Sequence, residues 1–230
     1  MIYIVLIIVL ILVAYKKYKN YTNTTYYKLT QNSPITVWFD TGLLGEYLIY
    51  NWLKDIENKG GKFLFNLYLP KEDGETTEID VLLITNRGLF VFESKNYSGW
   101  IFGDDKQKNW TQTLPSGKGR SHKEYFYNPI FQNKGHISNL KRILGEEIPF
   151  YSIITFSERC TLKKVPEDTE FIKVIKRDDV LKTVANIYDN TQPTLTNEDI
   201  DKIYNKLKIY SQASEQIKKE HIDNIRMKYK

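Results

Sequence analysis

The sequence predicts an α/β fold in which helices flank a mixed central β-sheet. Apolar runs of strand length recur along the chain, and residues 62–70 and 78–96 contain the longest of them. Between residues 40 and 61, apolar side chains instead recur at the spacing of a helix face. The resulting order of helix, strands, helix, strand, strand and helix is typical of α/β proteins with a mixed sheet.

Length and composition fit one sizeable folded domain with additional segments. The chain has 230 residues, of which 41% are hydrophobic and 27% are charged. The single cysteine, Cys160, excludes an intramolecular disulfide bond and a zinc site built from several cysteines. The formal net charge of +5 permits an anionic partner, whereas a protein that coats DNA would be more strongly basic.

The N-terminal segment differs from the rest of the chain. Residues 2–14 are uncharged and apolar, and Lys16, Lys17 and Lys19 follow at once. This pattern predicts a transmembrane anchor, with the basic side and the remainder of the protein in the cytoplasm. A cleavable signal peptide and a buried soluble helix are the alternatives, although a signal peptide would have a basic residue before the apolar run.

Capping and turn signals place the individual elements. Asp40 is expected to cap a helix that ends at a Gly-Gly pair, and Asn128 with Pro129 is expected to begin a second helix. The polar stretch over residues 103–128 is either a long loop or an exposed hairpin. The other predicted elements are strands over 150–157 and 170–176, a helix over 177–189 and one final helix from Asn197 onward.

Three charged residues interrupt the apolar segment 78–96. Glu93 and Lys95 share one face of their strand, because side chains two positions apart point the same way. An even-length turn in Asn-Arg-Gly would place Asp80 directly opposite Glu93, whereas a three-residue turn would place the two carboxylates on opposite faces. The sequence leaves both registers open.

An even register predicts a metal site. Two carboxylates facing each other in an apolar sheet are unfavourable unless a cation balances them. Oxygen ligands favour Mg²⁺ or Mn²⁺ over zinc, and Lys95 beside them could stabilise the negative charge that develops in phosphodiester hydrolysis. Glu46, on the first helix, could complete the acidic cluster. The alternative is a salt bridge of Asp80 and Glu93 with Lys95 on a half-exposed sheet.

Four segments in order resemble the nuclease-related domain (NERD) family of the PD-(D/E)xK nuclease superfamily. They are "GLLGE" at residues 42–46, "EIDVLLIT" at 78–85, "GLFVFESKNYSG" at 88–99 and "NPIFQNKGHI" at 128–137. The resemblance covers about half of the chain and implies a restriction-endonuclease-like core.

The resemblance also implies roles for individual residues. Asp80 and Glu93 correspond to the Mg²⁺ ligands, Lys95 to the catalytic lysine, Glu46 to the acidic residue on the helix and Gln132 to the family's glutamine after Asn-Pro. Two positions depart from the superfamily pattern, because Ile79 replaces a proline and Val81 replaces a histidine found in many members. The domain organisation that follows is a transmembrane anchor over 1–19, a linker over 20–37, the NERD domain over 38–157 and a strand and helix extension over 158–230.

Basic residues of the polar stretch are candidates for binding nucleic acid. Trp110, Tyr125 and Phe126 are interleaved with them and could stack on bases. The alternative is a solvated mobile loop. His136 is interpreted as a structural polar group, and neither of the other two histidines is given a role. The basic candidates are Lys106, Lys108, Lys118, Arg120 and Lys123.

These observations predict a membrane-anchored, Mg²⁺-dependent nuclease-like enzyme that hydrolyses DNA. The alternatives are a module that binds nucleic acid without turnover and a membrane-tethered scaffold whose last helix recruits a protein. The expected partners are DNA rather than RNA, and a membrane through residues 2–15.

Overall fold

A computed structural model of the protein describes residues 2–117 and 119–228. The helices are α1 (Ile2–Thr22), α2 (Thr25–Thr30), α3 (Pro34–Phe39), α4 (Thr41–Leu53), α5 (Pro129–Leu144), α6 (Val180–Asn190), α7 (Asn197–Lys208) and α8 (Glu215–Lys228). The strands are β1 (Lys62–Pro70), β2 (Thr76–Thr85), β3 (Gly88–Lys95), β4 (Gly99–Phe102), β5 (Asn109–Pro115), β6 (Ser121–Tyr127), β7 (Phe150–Phe156), β8 (Cys160–Lys164) and β9 (Ile172–Lys176).

The larger sheet has the strand order β1-β2-β3-β7-β9. Strands β1, β2 and β3 are antiparallel neighbours, whereas β3, β7 and β9 run parallel to one another. The prediction of a mixed sheet flanked by helices is therefore confirmed. The parallel part needs crossover connections, and α5 supplies the one between β3 and β7.

Both faces of this sheet are buried, which explains why its strands are nearly continuous apolar runs. Phe63, Val81 and Phe90 pack in a cluster with side chains of α4 and α6. Leu64 and Leu82, one position further along their strands, pack instead with α5 and α7. The alternation of side chains along each strand thus builds a core on each side of the sheet.

The smaller sheet has the order β6-β5-β4-β8. Strands β5 and β6 form an antiparallel hairpin within residues 103–128, which settles the two interpretations of that stretch in favour of the hairpin. Strand β8 was not predicted, because its sequence "CTLKK" is short and charged at one end. It pairs in parallel with β4, while β9 pairs with β7 in the larger sheet. The segment after residue 157 therefore completes both sheets.

Residues 20–37, predicted to be a linker, form the end of α1, all of α2 and the first part of α3, and they pack on the domain. Tyr21 and Tyr26 lie buried in the same cluster as α4, and Val37 of α3 joins them. The edge-to-face contact of Tyr26 with Phe65 of β1, at 4.9 Å between ring centroids, fixes α2 on the sheet. The apolar surface of these side chains outweighs the polar composition of the segment.

Among the residues that the structure describes, no helix combines the length and the apolar character needed to cross a membrane. This corrects the predicted transmembrane helix at residues 1–19. Its uncharged apolar run covers residues 2–14, which is 13 positions, and three lysines follow in the next turn of α1. A spanning helix needs about 20 apolar residues.

The predicted final helix is divided in two. Thr196 caps α7 through a reciprocal capping box with Asp199, and α7 gives way to a 3-10 turn over Ile209–Gln212. Helix α8 then begins at Glu215 and carries His221 into a buried position. The break redirects the chain, so that α8 reaches the larger sheet near Thr76 rather than extending α7.

Candidate functional site

The turn between β2 and β3 decides the geometry of the site. Thr85 pairs with Gly88, which leaves Asn86 and Arg87 as a two-residue turn. The even register required for facing carboxylates is therefore present. Continuing the ladder beyond its last pair brings Asp80 opposite Glu93.

Asp80 is further held by the neighbouring strand. Its Oδ2 accepts a hydrogen bond of 2.8 Å from the backbone N–H of Ser94. This bond fixes the Asp80 carboxylate beside the end of β3, where the ladder between β2 and β3 has already ended. Asp80 also lines a cleft beside the hairpin.

Lys95 lies between a carboxylate and an amide. Its Nζ is 2.6 Å from Oε1 of Glu93 and donates a hydrogen bond of 3.0 Å to Oε1 of Gln132. Glu93 is 1% exposed and the Lys95 side chain 17%, so the pair is largely removed from solvent. Gln132 comes from α5, which shows that this helix contributes directly to the cluster.

His136 also belongs to the cluster, which sequence reasoning did not recognise. Its Nε2 is 3.1 Å from Oε2 of Glu93, and its Nδ1 is 2.7 Å from the hydroxyl of Thr77. Both oxygens of the Glu93 carboxylate are thus engaged, one by Lys95 and one by His136. The four-residue spacing of Gln132 and His136 was the available signal, since it places both on one face of α5.

Asn133 anchors α5 to the sheet between those two residues. Its Nδ2 donates hydrogen bonds to the carbonyl of Val91, at 2.8 Å, and to the hydroxyl of Ser152, at 2.9 Å. Asn133 is fully buried, so these bonds form in an environment without competing water. They fix the position of the helix that presents Gln132 and His136.

Glu46 of α4 lies near Asp80 and is held by a residue of β1. It is 7% exposed, and its Oε2 accepts a hydrogen bond of 3.1 Å from Nδ2 of Asn66. Asn66 occupies the unpaired position between the pairs Phe65–Val81 and Leu67–Ile79, which is the position facing Asp80. Its φ of 49° is left-handed, a conformation that asparagine tolerates better than most residues.

The electrostatics of the three carboxylates differ. Burial, together with the charge of Glu93, raises the pKa of Asp80 well above its ordinary value. Burial and the nearby Asp80 raise the pKa of Glu46 in the same way. Burial also disfavours ionised Glu93, but Lys95 and His136 outweigh it and lower the Glu93 pKa. Although burial disfavours its charged form, Lys95 has a raised pKa because Glu93 and Asp80 outweigh that effect.

This donor set fits a hard divalent cation. Asp80, Glu93 and Glu46 bring three carboxylates together beside the single ammonium of Lys95, and burial together with the neighbouring carboxylates raises the pKa of Asp80 and Glu46. Within residues 2–117 and 119–228, no group of three or more His, Cys, Asp or Glu side chains has the spacing of a complete metal site. Mg²⁺ commonly uses one or two protein carboxylates and takes its other ligands from water and phosphate.

A cleft of about 960 Å³ opens over the cluster. Asp80, Lys95 and Gln132 line it, and so do Tyr125 of β6 and His221 of α8. The C-terminal helix α8 thus reaches the cleft, a position that was not predicted from the sequence. His221 lies 3.0 Å, through its Nδ1, from the hydroxyl of Thr76.

The predicted nucleic-acid contacts divide into separate groups. Lys108 lines the cleft, and the exposed Lys106, Arg120 and Lys123 lie in or beside the β5–β6 hairpin. Lys118 lies outside the described residues. Among the predicted stacking residues, Tyr125 is exposed, but Trp110 and Phe126 point into the core formed with Phe156 and cannot meet a base there.

Comparison with known proteins agrees with this geometry. The family model of the nuclease-related domain matches residues 41–157, a range that contains Glu46, Asp80, Glu93 and Lys95. The chain is 31% identical to an uncharacterized protein of Bacillus anthracis over 188 residues, which cover 82% of this chain and 85% of that protein. No solved structure matches the chain. By both the family model and this relative, the chain belongs to the nuclease-related domain (NERD) family.

Proposed function

We propose that this protein is a metal-dependent nuclease that hydrolyses phosphodiester bonds of DNA. The observation that carries the proposal is the Lys95 ammonium, held 2.6 Å from Glu93, which faces Asp80 across the hairpin. Lys95 and Asp80 both line the cleft. Membership of the NERD family supports the same reaction class. A purely structural salt bridge would not require a second carboxylate with a raised pKa beside the pair.

Asp80 and Glu93 are the residues that would hold Mg²⁺ or Mn²⁺. When bound, such an ion supplies a Lewis acid for the phosphate and lowers the pKa of a coordinated water. The protein's own contribution is to keep both carboxylates in place before substrate arrives. The Ser94 N–H holds Asp80, and His136 holds Glu93.

Lys95 supplies a fixed positive charge at the reacting phosphate. In the hydrolysis, the oxygen of a water molecule forms a bond to phosphorus, and the bond from phosphorus to one bridging oxygen breaks. The water loses a proton, and the leaving oxygen gains one. Negative charge rises on the phosphoryl oxygens meanwhile, and the Lys95 ammonium, oriented by Gln132, stabilises that charge.

Glu46 is suited to hold a proton next to the site. Its pKa is raised by burial and by Asp80, and its carboxyl is oriented by Asn66. A carboxyl group with a raised pKa keeps its proton to higher pH and can pass it to a neighbouring group. We therefore place Glu46 with Lys95 and Gln132 in the catalytic machinery, in support of the two carboxylates that face each other.

Cleavage of labelled DNA by the full-length chain tests the proposal. We expect product with Mg²⁺ or Mn²⁺, none with EDTA, and a rate lowered by about 100-fold or more in Glu93→Gln and Lys95→Met. Glu198→Gln is a matched control, because Glu198 is an exposed residue of α7. Absence of cleavage, or cleavage that survives both cluster substitutions, contradicts the proposal.

The second candidate function is binding of nucleic acid without turnover, and the exposed aromatic and basic residues of the β5–β6 hairpin favour it. Binding that is indifferent to EDTA, with no product formed under any metal condition, would support this candidate against the nuclease.

We further infer that α1 holds the protein against the cytoplasmic side of a cell membrane. The apolar side chains of α1 from Ile2 to Val13 are exposed, and Lys16, Lys17 and Lys19 follow them. Apolar contact with lipid and attraction to anionic headgroups would act together there. Flotation with anionic vesicles should be lost when residues 1–19 are deleted, and unchanged flotation contradicts the inference.

A further inference from the structure

The smaller sheet has an outward face that carries aromatic and basic side chains in register. Trp100 of β4 pairs with Thr113 of β5, and Thr113 pairs with Lys123 of β6. Directly paired residues share a face of a sheet, so these three side chains form one row. Trp100 is 51% exposed and Lys123 is also exposed.

A second row lies beside the first on the same face. Phe102 pairs with Thr111, and Thr111 pairs with Tyr125, each two positions along its strand from the first row. Tyr125 is 71% exposed, and Phe102 is half-buried. The middle strand contributes only threonines to these two rows. The large side chains of β4 and β6 therefore flank a shallow strip of threonines on β5. The two flanking strands lie about 10 Å apart, which is two strand spacings.

The opposite face of this sheet has a different role. Trp110 pairs with Phe126, and both pack against Phe156 in the core. Packing in the core thus explains the presence of two of the four aromatic residues in the hairpin. The exposed aromatic residues on the outward face have no such structural explanation, which distinguishes Trp100 and Tyr125 from core side chains that happen to be partly accessible.

The charges on the outward face are positive. Lys163 of β8 holds its Nζ 5.0 Å from the centre of the Trp100 ring, which places it on the same side as Lys123. Within strands β4, β5, β6 and β8, all of them described, Glu124 is the single acidic residue. Glu124 pairs with Gln112, on the opposite face. The outward face is therefore complementary to a polyanion.

This face leads into the cleft over the catalytic cluster. Tyr125 lines the cleft, and so do Asn109 and Tyr127, which form the next paired position on the same face. Tyr127 contacts Phe131 of α5 edge to face, one residue from Gln132. A chain lying along the outward face would thus arrive at the residues that surround Lys95.

We propose that the outward face of the smaller sheet, defined by Trp100, Phe102, Lys123, Tyr125 and Lys163, binds single-stranded DNA and leads it to the cluster. The proposal rests on the proposed function and names its substrate class. Unpaired bases present flat faces on which aromatic side chains stack, whereas the bases of a duplex already stack on one another. The lysines contact phosphates without regard to sequence.

Fluorescence anisotropy with the full-length chain in EDTA measures binding while preventing metal-dependent cleavage. The probes are a labelled single-stranded oligothymidine, a duplex of the same length and an abasic single strand of the same length. The abasic strand keeps every phosphate and removes every base. We expect the oligothymidine to bind more tightly than either of the other two probes.

Substitutions separate stacking from charge. Trp100→Leu and Tyr125→Leu are each expected to weaken oligothymidine binding by about tenfold and to leave binding of the abasic strand unchanged. Tyr125→Phe keeps the ring and is expected to bind like the wild type. Lys123→Gln is expected to weaken both single strands and to lower the slope of log affinity against log salt by about 0.7. Trp38→Leu is the matched control, since Trp38 is 71% exposed on α3.

Each outcome bears on one proposal. Equal affinity for oligothymidine and the abasic strand, or wild-type affinity in both leucine variants, overturns the single-strand platform even if the protein cleaves DNA. Equally tight binding of the duplex overturns it as well. If the leucine variants lose oligothymidine binding and the wild type cleaves no DNA with Mg²⁺, the platform stands and the nuclease proposal fails. Unchanged melting temperatures show that the exposed substitutions leave the fold intact.

Discussion

Replacing Asp80 with asparagine should stabilise the metal-free protein and at the same time remove the proposed nuclease activity. Asp80 faces Glu93 across the hairpin, with Cβ atoms about 5 Å apart in such a pair. Two carboxylates at that separation repel by about 3 kcal/mol at an effective dielectric constant near 20. Lys95 offsets part of this, because it lies 2.6 Å from Glu93. We therefore expect Asp80→Asn to gain about 1–2 kcal/mol in EDTA, again on the Coulomb scale.

The gain should depend on pH with a defined sign. The folded pKa of Asp80 is raised above the unfolded value of 3.8, so the folded state retains this proton longer than the unfolded state. This tighter retention of the Asp80 proton stabilises the folded wild type fully below the unfolded pKa, and the stabilisation is lost as pH rises through the folded pKa. Asp80→Asn has no such proton, so it does not lose this stabilisation. Its advantage over the wild type should be small near pH 4 and largest at neutral to alkaline pH.

Thermal melts in EDTA across that pH range measure the effect. For a protein of this size, a gain of 1 kcal/mol raises the melting temperature by about 2–4 °C. Adding Mg²⁺ should stabilise the wild type and not Asp80→Asn, because only the wild type keeps both carboxylates. Glu198→Gln should melt like the wild type throughout. A variant less stable than the wild type in EDTA, or an advantage that does not change with pH, would refute the charge-balance reasoning.

The remaining predictions concern neighbours of this pair. Lys95→Met should lower the free energy of unfolding by about 3 kcal/mol at neutral pH, because it leaves Glu93 buried without its main partner; denaturant melts measure this. Asn66→Ala should be less stable than Asn66→Gly by about 1 kcal/mol in the same melts, because φ at this position is 49° and both variants lack the amide. His136→Leu should weaken Mn²⁺ binding by about 10–100-fold with the fold retained, whereas His122→Ala, in the exposed hairpin, should not. Equal stability of the two Asn66 variants, or equal Mn²⁺ affinity of the two histidine variants, would contradict these assignments.

The hairpin with Asp80, Glu93 and Lys95 could be predicted from the sequence because its information is local. A two-residue periodicity and a short turn are enough to place these side chains on one face once the register is known. The register itself was open, since Asn-Arg-Gly is compatible with more than one turn. The structure resolves it through the pairing of Thr85 with Gly88.

The contributions of His136 and Asn66 could not be predicted in the same way. The contact of His136 with Glu93 depends on the distance between α5 and β3, which Asn133 sets through a hydrogen bond to Val91. No local pattern contains that distance. The left-handed conformation of Asn66 interrupts the strand pairing at one position, and an asparagine in an apolar strand gives no sign of it.

The helices within residues 20–37 show that amino-acid composition can mislead about whether a segment packs on the fold. The segment is rich in threonine, asparagine and tyrosine, a composition that suggests a solvated connection. Its tyrosines nevertheless bury large rings while their hydroxyls keep polar partners, as Tyr21 does with the carbonyl of Asn32. Average polarity does not distinguish a linker from a helix that packs through a few aromatic side chains.

Binding of Mn²⁺, followed by electron paramagnetic resonance of the free ion, tests most directly whether Asp80 and Glu93 form a cation site. It requires no knowledge of the nucleic acid substrate. We expect saturable binding of Mn²⁺ to the wild type, competition by Mg²⁺, and loss of that binding in both Asp80→Asn and Glu93→Gln. Absence of binding to the wild type, or undiminished binding to both variants, would contradict the assignment of these two carboxylates as the metal ligands.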